Sequence, residues 1–372
     1  MKRDITPRIA IFVSFSGTGG VERMVVNLAK GLGGLGASID MIPVRTESVH
    51  LEELPPSVRI IKFGSSHTLG CLPALIRYLR SEQPDALLAA KDRANTTAVL
   101  ARRLSGTPTR LVLRMGTTVS AAMAGTHPLK KRVWYLRMRM LYPSADTVIA
   151  VSRGVAKDLE RNAGLSPALL RVIPNPVITP KLLSMSEEPL DHPWFREDAV
   201  PVLLAVGRLT RQKDFPTLLR AFALVRKNRP CRIIILGEGR DRAALESLAK
   251  QLGIQDDLAM PGFMENPYAY MSKAALFVLS SRWEGSPNVL TEALALGIPV
   301  VSTDCPSGPE EILDYGRFGP LVPMGNPAAL ANAILTTLDA PLEKSLLKSA
   351  VRAYTVEESS KKYLKVLLGN DF

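Results

Sequence analysis

"EGSPNVLTEALALGIPVV", residues 284–301, decides the reading of the whole chain. Ser286 suits an N-cap and Pro287 the first helical position, where its missing donor costs nothing, while Gly297 and Pro299 end the helix. The stretch therefore predicts a helix over 287–296 followed by a strand in "IPVVST". Val289, Leu290, Ala293, Leu294 and Leu296 make that helix apolar over most of its surface. It nevertheless carries Glu292, with Glu284 eight positions earlier, just outside its start. A buried carboxylate without donors is costly, so Glu292 needs either a core donor or the hydroxyls of a ligand. The free amides of Asn288, Val289 and Leu290 at the helix start make an anion site suited to phosphate.

Outward from this stretch, short β-rich runs alternate with helical patterns along the whole chain. "RIAIFVSF", "SIDMIPV", "VRIIKF", "DALLAA", "RLVLRM" and "DTVIAVS" are the strands expected in the first half, and "PVLLAVG", "CRIIILG", "ALFVLS" and "IPVVST" those in the second. Helices are expected near 215–227 and 240–252. Such alternation predicts parallel sheets covered by helices. Six prolines between 174 and 201 mark a linker. The fold class is therefore α/β, with two Rossmann-like doubly wound domains, 1–178 and 179–354. Two such domains are expected to face a cleft at the carboxyl ends of their strands.

At 372 residues and 46% hydrophobic, the chain can bury two cores. No apolar run approaches the roughly 20 residues of a membrane-spanning helix. Three cysteines (71, 231, 305), without metal-ligand spacing, indicate neither a disulfide framework nor a zinc site, and a reducing cytoplasm fits best. Charge divides unevenly: residues 1–180 carry 25 Lys and Arg against 12 Asp and Glu, whereas the remainder is near neutral. A basic first half suits an anionic surface or a phosphate-bearing substrate. No nucleic-acid-binding motif accompanies it.

"VGRLTRQKDF" sets Arg208 and Lys213 just past a strand end, five residues apart. Two cations there, facing a helix N-terminus, suit a diphosphate leaving group. Here "EGSPNVLTE" fits an E-x7-E pattern, and with Arg208, Lys213 and "GGVERMVVNLAKGL" the chain resembles the retaining GT-B glycosyltransferases of family GT4. "STDCPSGPEEIL" and "GPLVP" are similar to bacterial members that build surface polysaccharides. The resemblance implies transfer of a sugar from a nucleotide-sugar donor with retained configuration and without a metal ion or other cofactor. It implies that Glu284 contacts sugar hydroxyls, Glu292 the ribose hydroxyls, and Arg208 and Lys213 the diphosphate. It also sets Ser286, Pro287, Asn288, Val289 and Leu290 beside the donor, and Gly262, Phe263 and Met264 of "MPGFMENP" near the base. It further implies that a terminal helix near 355–372 packs back on the first domain.

"SFSGTGGVERMVV" runs from strand to glycine turn to helix, with Gly17, Gly19 and Gly20 allowing close approach of a ligand. It is not G-x-G-x-x-G, so a dinucleotide dehydrogenase is poorly supported, and "GEG" at 237–239 reads as a strand-end turn. The resemblance implies that this loop borders both donor and acceptor, with Gly19 and Gly20 binding the donor and Glu22 on the acceptor or sugar side, although Glu22 is also a favourable first-turn acid. Many relatives carry a histidine after the strand matching "RLVLRMGTT"; this chain has Arg114 there, and its nearest histidine is His127. Either could serve the sugar or acceptor side, with packing as the ordinary role of an isolated Arg114. Asn175 of "VIPNPV" matches the family or simply turns the chain.

"HPLKKRVWYLRMRMLY", 127–142, mixes Lys130, Lys131, Arg132, Arg137 and Arg139 with Trp134 and aliphatic residues. It predicts a basic helix that either lies in an anionic membrane interface or buries Trp134 and Leu141 in the domain. The expected activity is a metal-independent retaining hexosyl- or N-acetylhexosaminyltransferase, using a UDP-sugar to extend a lipid-linked saccharide at the inner face of the cytoplasmic membrane. A GT-B-type sugar-nucleotide epimerase and a catalytically silent nucleotide-sugar or membrane-binding subunit are the alternatives.

Overall fold

A computed structural model describes residues 6–15, 19–44, 49–196 and 200–370. The chain divides into two units, Met1–Val177 with Tyr354–Phe372, and Ile178–Ala353.

The first unit is built on β1 (Arg8–Val13), β2 (Ser38–Pro43), β3 (Arg59–Ile60), β4 (Ala86–Ala90), β5 (Arg110–Met115), β6 (Thr147–Ala150) and β7 (Leu170–Val172), paired in the order β3-β2-β1-β4-β5-β6-β7. Every pairing is parallel. Buried on both faces, β1 is apolar at each of its last five positions, and its alternate side chains feed two cores. Ile9, Ile11 and Val13 pack with Met24, Leu28 and Leu32 of the helix Gly20–Gly34 and with Tyr363 and Leu367 of the helix Val356–Leu367. Ala10 and Phe12 face the other core, with Leu75, Leu79, Ala98 and Met138 from three further helices.

The second unit repeats this plan with β8 (Val202–Val206), β9 (Arg232–Leu236), β10 (Leu258–Gly262), β11 (Leu276–Leu279), β12 (Val300–Thr303) and β13 (Leu321–Val322), in the order β10-β9-β8-β11-β12-β13. These pairings are also parallel. Leu203, Ala205, Ile233 and Ile235 pack on Phe215, Leu218, Phe222, Leu330 and Ile334. In both sheets the winding reverses direction once, between β1 and β4 and between β8 and β11. Ligands of open α/β sheets bind outside the carboxyl ends of the strands at such a switch point.

Candidate active site

Because all strands of the second sheet are parallel, the loops after β8 to β12 leave from one edge. The loop after β8 carries Arg208 and Lys213, and the loop after the adjacent β11 carries Glu284. Backbone and side-chain bonds stitch these loops together: Arg282 N donates to Gln212 O at 2.8 Å, Gln212 Nε2 to Trp283 O at 3.0 Å and Ser280 Oγ to Lys213 O at 2.7 Å. At their junction Lys213 Nζ donates to Glu284 Oε1 at 2.6 Å, and Ser281 Oγ donates to the same oxygen at 2.7 Å. Glu284 is buried. Gly207 makes room for the lysine stem, since a Cβ there would lie 2.9 Å from Lys213 Cε. Arg208 is exposed and, among the described residues, forms no ion pair. The burial of Cys305 first, and then the charge of Glu284, pushes that thiol well above its ordinary pKa.

The helix that follows spans Asn288–Ala295, one residue shorter at each end than expected, and its N-cap is Pro287 rather than Ser286. Leu290 N donates to Pro287 O at 3.1 Å, so the turn itself takes one of the three amides assigned to phosphate. Asn288 and Val289 remain in the first turn. Glu292 is only 3% exposed, and its Oε1 accepts from Tyr268 Oη at 3.4 Å. A core donor is thus present, although that bond is long. Tyr268 belongs to the helix Pro267–Lys273, whose start is fixed by Asn266 Oδ1 accepting from the amides of Tyr268 and Ala269. Gly262 ends β10 and its carbonyl accepts from Gly237 N at 2.7 Å, with Phe263 exposed and Met264 half-buried beyond it. These three lie at the same sheet edge as Lys213 and Glu284, two strands away from β8.

In the first unit Gly17 lies outside the described residues. Gly19 is the N-cap of the helix Gly20–Gly34, and Glu22, in its first turn, is buried. Its partner is one that sequence reasoning missed: Lys91 Nζ donates to Glu22 Oε1 at 2.7 Å and to Ser14 O at 2.6 Å. Lys91 directly follows β4, at the switch point of this sheet. A lysine directly abutting the apolar run "DALLAA" was the available signal.

The two residues expected on the sugar or acceptor side have different surroundings. Arg114 is an interior residue of β5, donating to Asn175 Oδ1 at 2.7 Å and Tyr363 Oη at 3.2 Å, and so ties the helix Val356–Leu367 to the sheet. Asn175, also buried, serves this clamp. His127 is exposed and caps the helix Pro128–Leu141, its Nδ1 accepting from Leu129 N at 3.3 Å.

That basic helix has two apolar faces. Met138 is buried, and Trp134, Tyr135 and Leu141 pack against the core. Arg137 ion-pairs with Asp92 and lies over the Trp134 ring. Trp134 and Arg137 therefore pack toward the protein, the burial alternative of the sequence reading. Opposite them Leu129, Val133, Leu136 and Met140, spaced i, i+4, i+7 and i+11, are 54–65% exposed, flanked by exposed Lys130, Arg132 and Arg139. Lys131 is half-buried, 6.0 Å from the Tyr135 ring centre. Among the described residues no helix is long and apolar enough to cross a membrane, and no group of three or more His, Cys, Asp or Glu side chains could hold a metal ion.

Residues 18–180 match the family model described as Glycosyltransferase Family 4, and residues 200–340 that described as Glycosyl transferases group 1. A relative from Campylobacter jejuni, N-acetylgalactosamine-N,N'-diacetylbacillosaminyl-diphospho-undecaprenol 4-alpha-N-acetylgalactosaminyltransferase, is 30% identical over 97% of this chain and 100% of its own. The chain belongs to glycosyltransferase family 4. A lipopolysaccharide core biosynthesis glycosyltransferase of Rhizobium meliloti is 29% identical to this family 4 enzyme over 71% of the chain and 68% of the relative. Its fold is GT-B. Among solved structures it is similar to the galactosyltransferase WaaB (TM-score 0.73, 20% identity, 98% and 100% of the two chains) and to Anabaena HepE in complex with UDP (TM-score 0.75, 19% identity, 97% and 99%).

Proposed function

We propose that this family 4 glycosyltransferase moves a sugar from a UDP-sugar, a hexose or N-acetylhexosamine, with retention of configuration and without a metal ion, to a lipid-linked saccharide in bacterial surface-glycan assembly. The observation that carries the reading is the Lys213–Glu284 pair at the switch point of the second sheet, on the loop that leads into the helix holding buried Glu292. An ammonium has three donors, and Glu284 takes one of those on Lys213. As the donor sugar departs, negative charge grows on the diphosphate, and Arg208, Lys213 and the helix start are stronger partners for that charge than for the ground state. These cations do the work a metal would otherwise do. Glu284 takes sugar hydroxyls and Glu292 those of the ribose. The acceptor attacks from the face the leaving group departs, and the leaving phosphate takes its proton.

The donor assignment draws support from the similarity to HepE, known in complexes with UDP and with UDP and glucose. The acceptor assignment draws support from the Campylobacter relative, whose name specifies a diphospho-undecaprenol saccharide. A peripheral position on the inner membrane face is supported by the exposed ridge of Leu129, Val133, Leu136 and Met140 with its flanking cations.

Calorimetric titration with UDP, GDP and ADP, repeated on Glu292→Ala, tests the donor assignment. Binding of UDP, weakened in the variant, is the expected result. If none of the three binds and no labelled sugar is transferred, the silent-subunit alternative takes its place.

A further inference from the structure

The pair at the switch point of the first sheet carries a role of its own. Lys91 has φ +78° and ψ 141°, a backbone conformation that residues with a Cβ rarely adopt. Glycine would sit there with less strain. The lysine is held instead by its side chain, through Ser14 O at 2.6 Å and Glu22 Oε1 at 2.7 Å. Glu22 is 2% exposed, and a buried ion pair is seldom a better source of stability than apolar packing. Strain at one partner and burial at the other are explained if the pair fixes a position.

Three segments are fixed by it: the residue after β1, the first turn of the helix Gly20–Gly34, and the start of the helix Asp92–Ser105. Within that turn the amides of Glu22 and Arg23 donate to Gly19 O at 3.1 and 3.3 Å. A Cβ on Gly19 would lie 2.5 Å from Glu22 Oε2, so the turn packs directly on the carboxylate that Lys91 neutralises. The second sheet has the corresponding strand order and a pair of the same kind with the charges exchanged. There the cation follows β8 and the carboxylate follows β11; here the carboxylate follows β1 and the cation follows β4.

We propose that Lys91 is a positioning residue for sugar transfer, acting through Glu22 to hold the Gly19–Gly20 turn at the ligand crevice of the first sheet, where the acceptor saccharide binds. This rests on the transferase reading above, which puts the nucleotide on residues of the second unit, and it assigns the acceptor to the first.

The test uses the full chain with Lys91→Met, Lys91→Gly, Lys91→Arg and Glu22→Gln. Hydrogen exchange of the Gly19–Arg23 amides should speed up by at least about tenfold in Lys91→Met and Lys91→Gly but not in Lys91→Arg, as expected for a locally opened turn. Lys91→Gly also removes the backbone strain, so its Tm should stay near that of the parent. A misplaced turn should lower kcat/KM for the acceptor by about 10- to 100-fold, with UDP affinity changed less than about twofold. Lys91→Arg should restore most of this loss, and Lys91→Met combined with Glu22→Gln should be no worse than either alone. Unaltered exchange in Lys91→Met, parallel losses of UDP affinity, or losses that multiply in the double variant would each overturn the proposal. A parent enzyme that shows the pair-dependent exchange yet transfers no sugar counts against the transferase reading, not against the positioning by Lys91.

Discussion

Lys213 and Glu284, 71 residues apart, meet at 2.6 Å because β8 and β11 are neighbours and their loops leave one sheet edge. In the proposed function, the cation for a departing diphosphate and a carboxylate for sugar hydroxyls are thus one unit. Lys213→Ala removes the cation and leaves the buried Glu284 without it. Loss of one preorganised group for transition-state charge should lower kcat by about 10²- to 10³-fold, with a smaller effect on KM for the donor. Glu284→Gln should lose a similar amount, and the double variant should resemble the worse single one. Steady-state kinetics at saturating acceptor checks this, and parental kcat in Lys213→Ala would remove the pair from the mechanism.

In the proposed function Glu292 takes the ribose of a bound nucleotide, and within the protein its Oε1 accepts from Tyr268. That bond is long, at 3.4 Å, and the proposed ribose contact is what the variants separate from it. Glu292→Ala should therefore weaken UDP binding by about tenfold, equivalent to about 1.4 kcal/mol, in calorimetric titration. Tyr268→Phe should retain most of the affinity. Equal losses in the two variants would mean that Glu292 acts by packing through Tyr268.

The sequence made most of this site legible, because its main features are local. The helix after Glu284, its apolar surface and the cations past β8 all lie within short windows. The central strands were legible too, since burial on both faces leaves continuous apolar runs. The strands that escaped notice, β7, β10 and β13, all lie at sheet edges, where one side lacks a neighbour and the run shortens; β10 even contains Pro261, which an edge tolerates. Lys91 escaped because its partner is 69 residues away and only the crossover between β1 and β4 brings them together. Arg114 misled for the opposite reason. It follows the strand pattern into the interior, and its partners Asn175 and Tyr363 come from distant segments that no local window contains.

Arg114 accordingly belongs to folding. Arg114→Met fills much of the same space but withdraws the donors to Asn175 and Tyr363, and loss of buried hydrogen bonds of this kind costs about 1–3 kcal/mol. Denaturant unfolding should show that loss, while UDP affinity, proposed to depend on the second unit, stays at the parental value. Tyr363→Phe should cost less, because it removes one partner of a 3.2 Å bond and keeps the aromatic packing. A selective fall in acceptor turnover with unchanged stability would return Arg114 to the sugar side.

The helix Pro128–Leu141 makes the remaining prediction. Its inward face already packs Trp134, Met138 and Leu141 against the core, so the outward ridge of Leu129, Val133, Leu136 and Met140 is surplus to the fold. Apolar surface contributes about 25 cal/mol per Å² when it leaves water, and juxtaposed cations about 1 kcal/mol each at an anionic bilayer. Replacing all four ridge residues with serine should abolish sedimentation with phosphatidylglycerol vesicles at every salt concentration. Changing Lys130, Arg132 and Arg139 to glutamine should instead weaken binding by roughly two decades at low salt and flatten its salt dependence, since only the cations are screened. Trp134→Phe, on the inward face, should bind vesicles like the parent. If the serine variant binds equally well, the ridge is ordinary surface and the membrane contact lies elsewhere on the basic first unit.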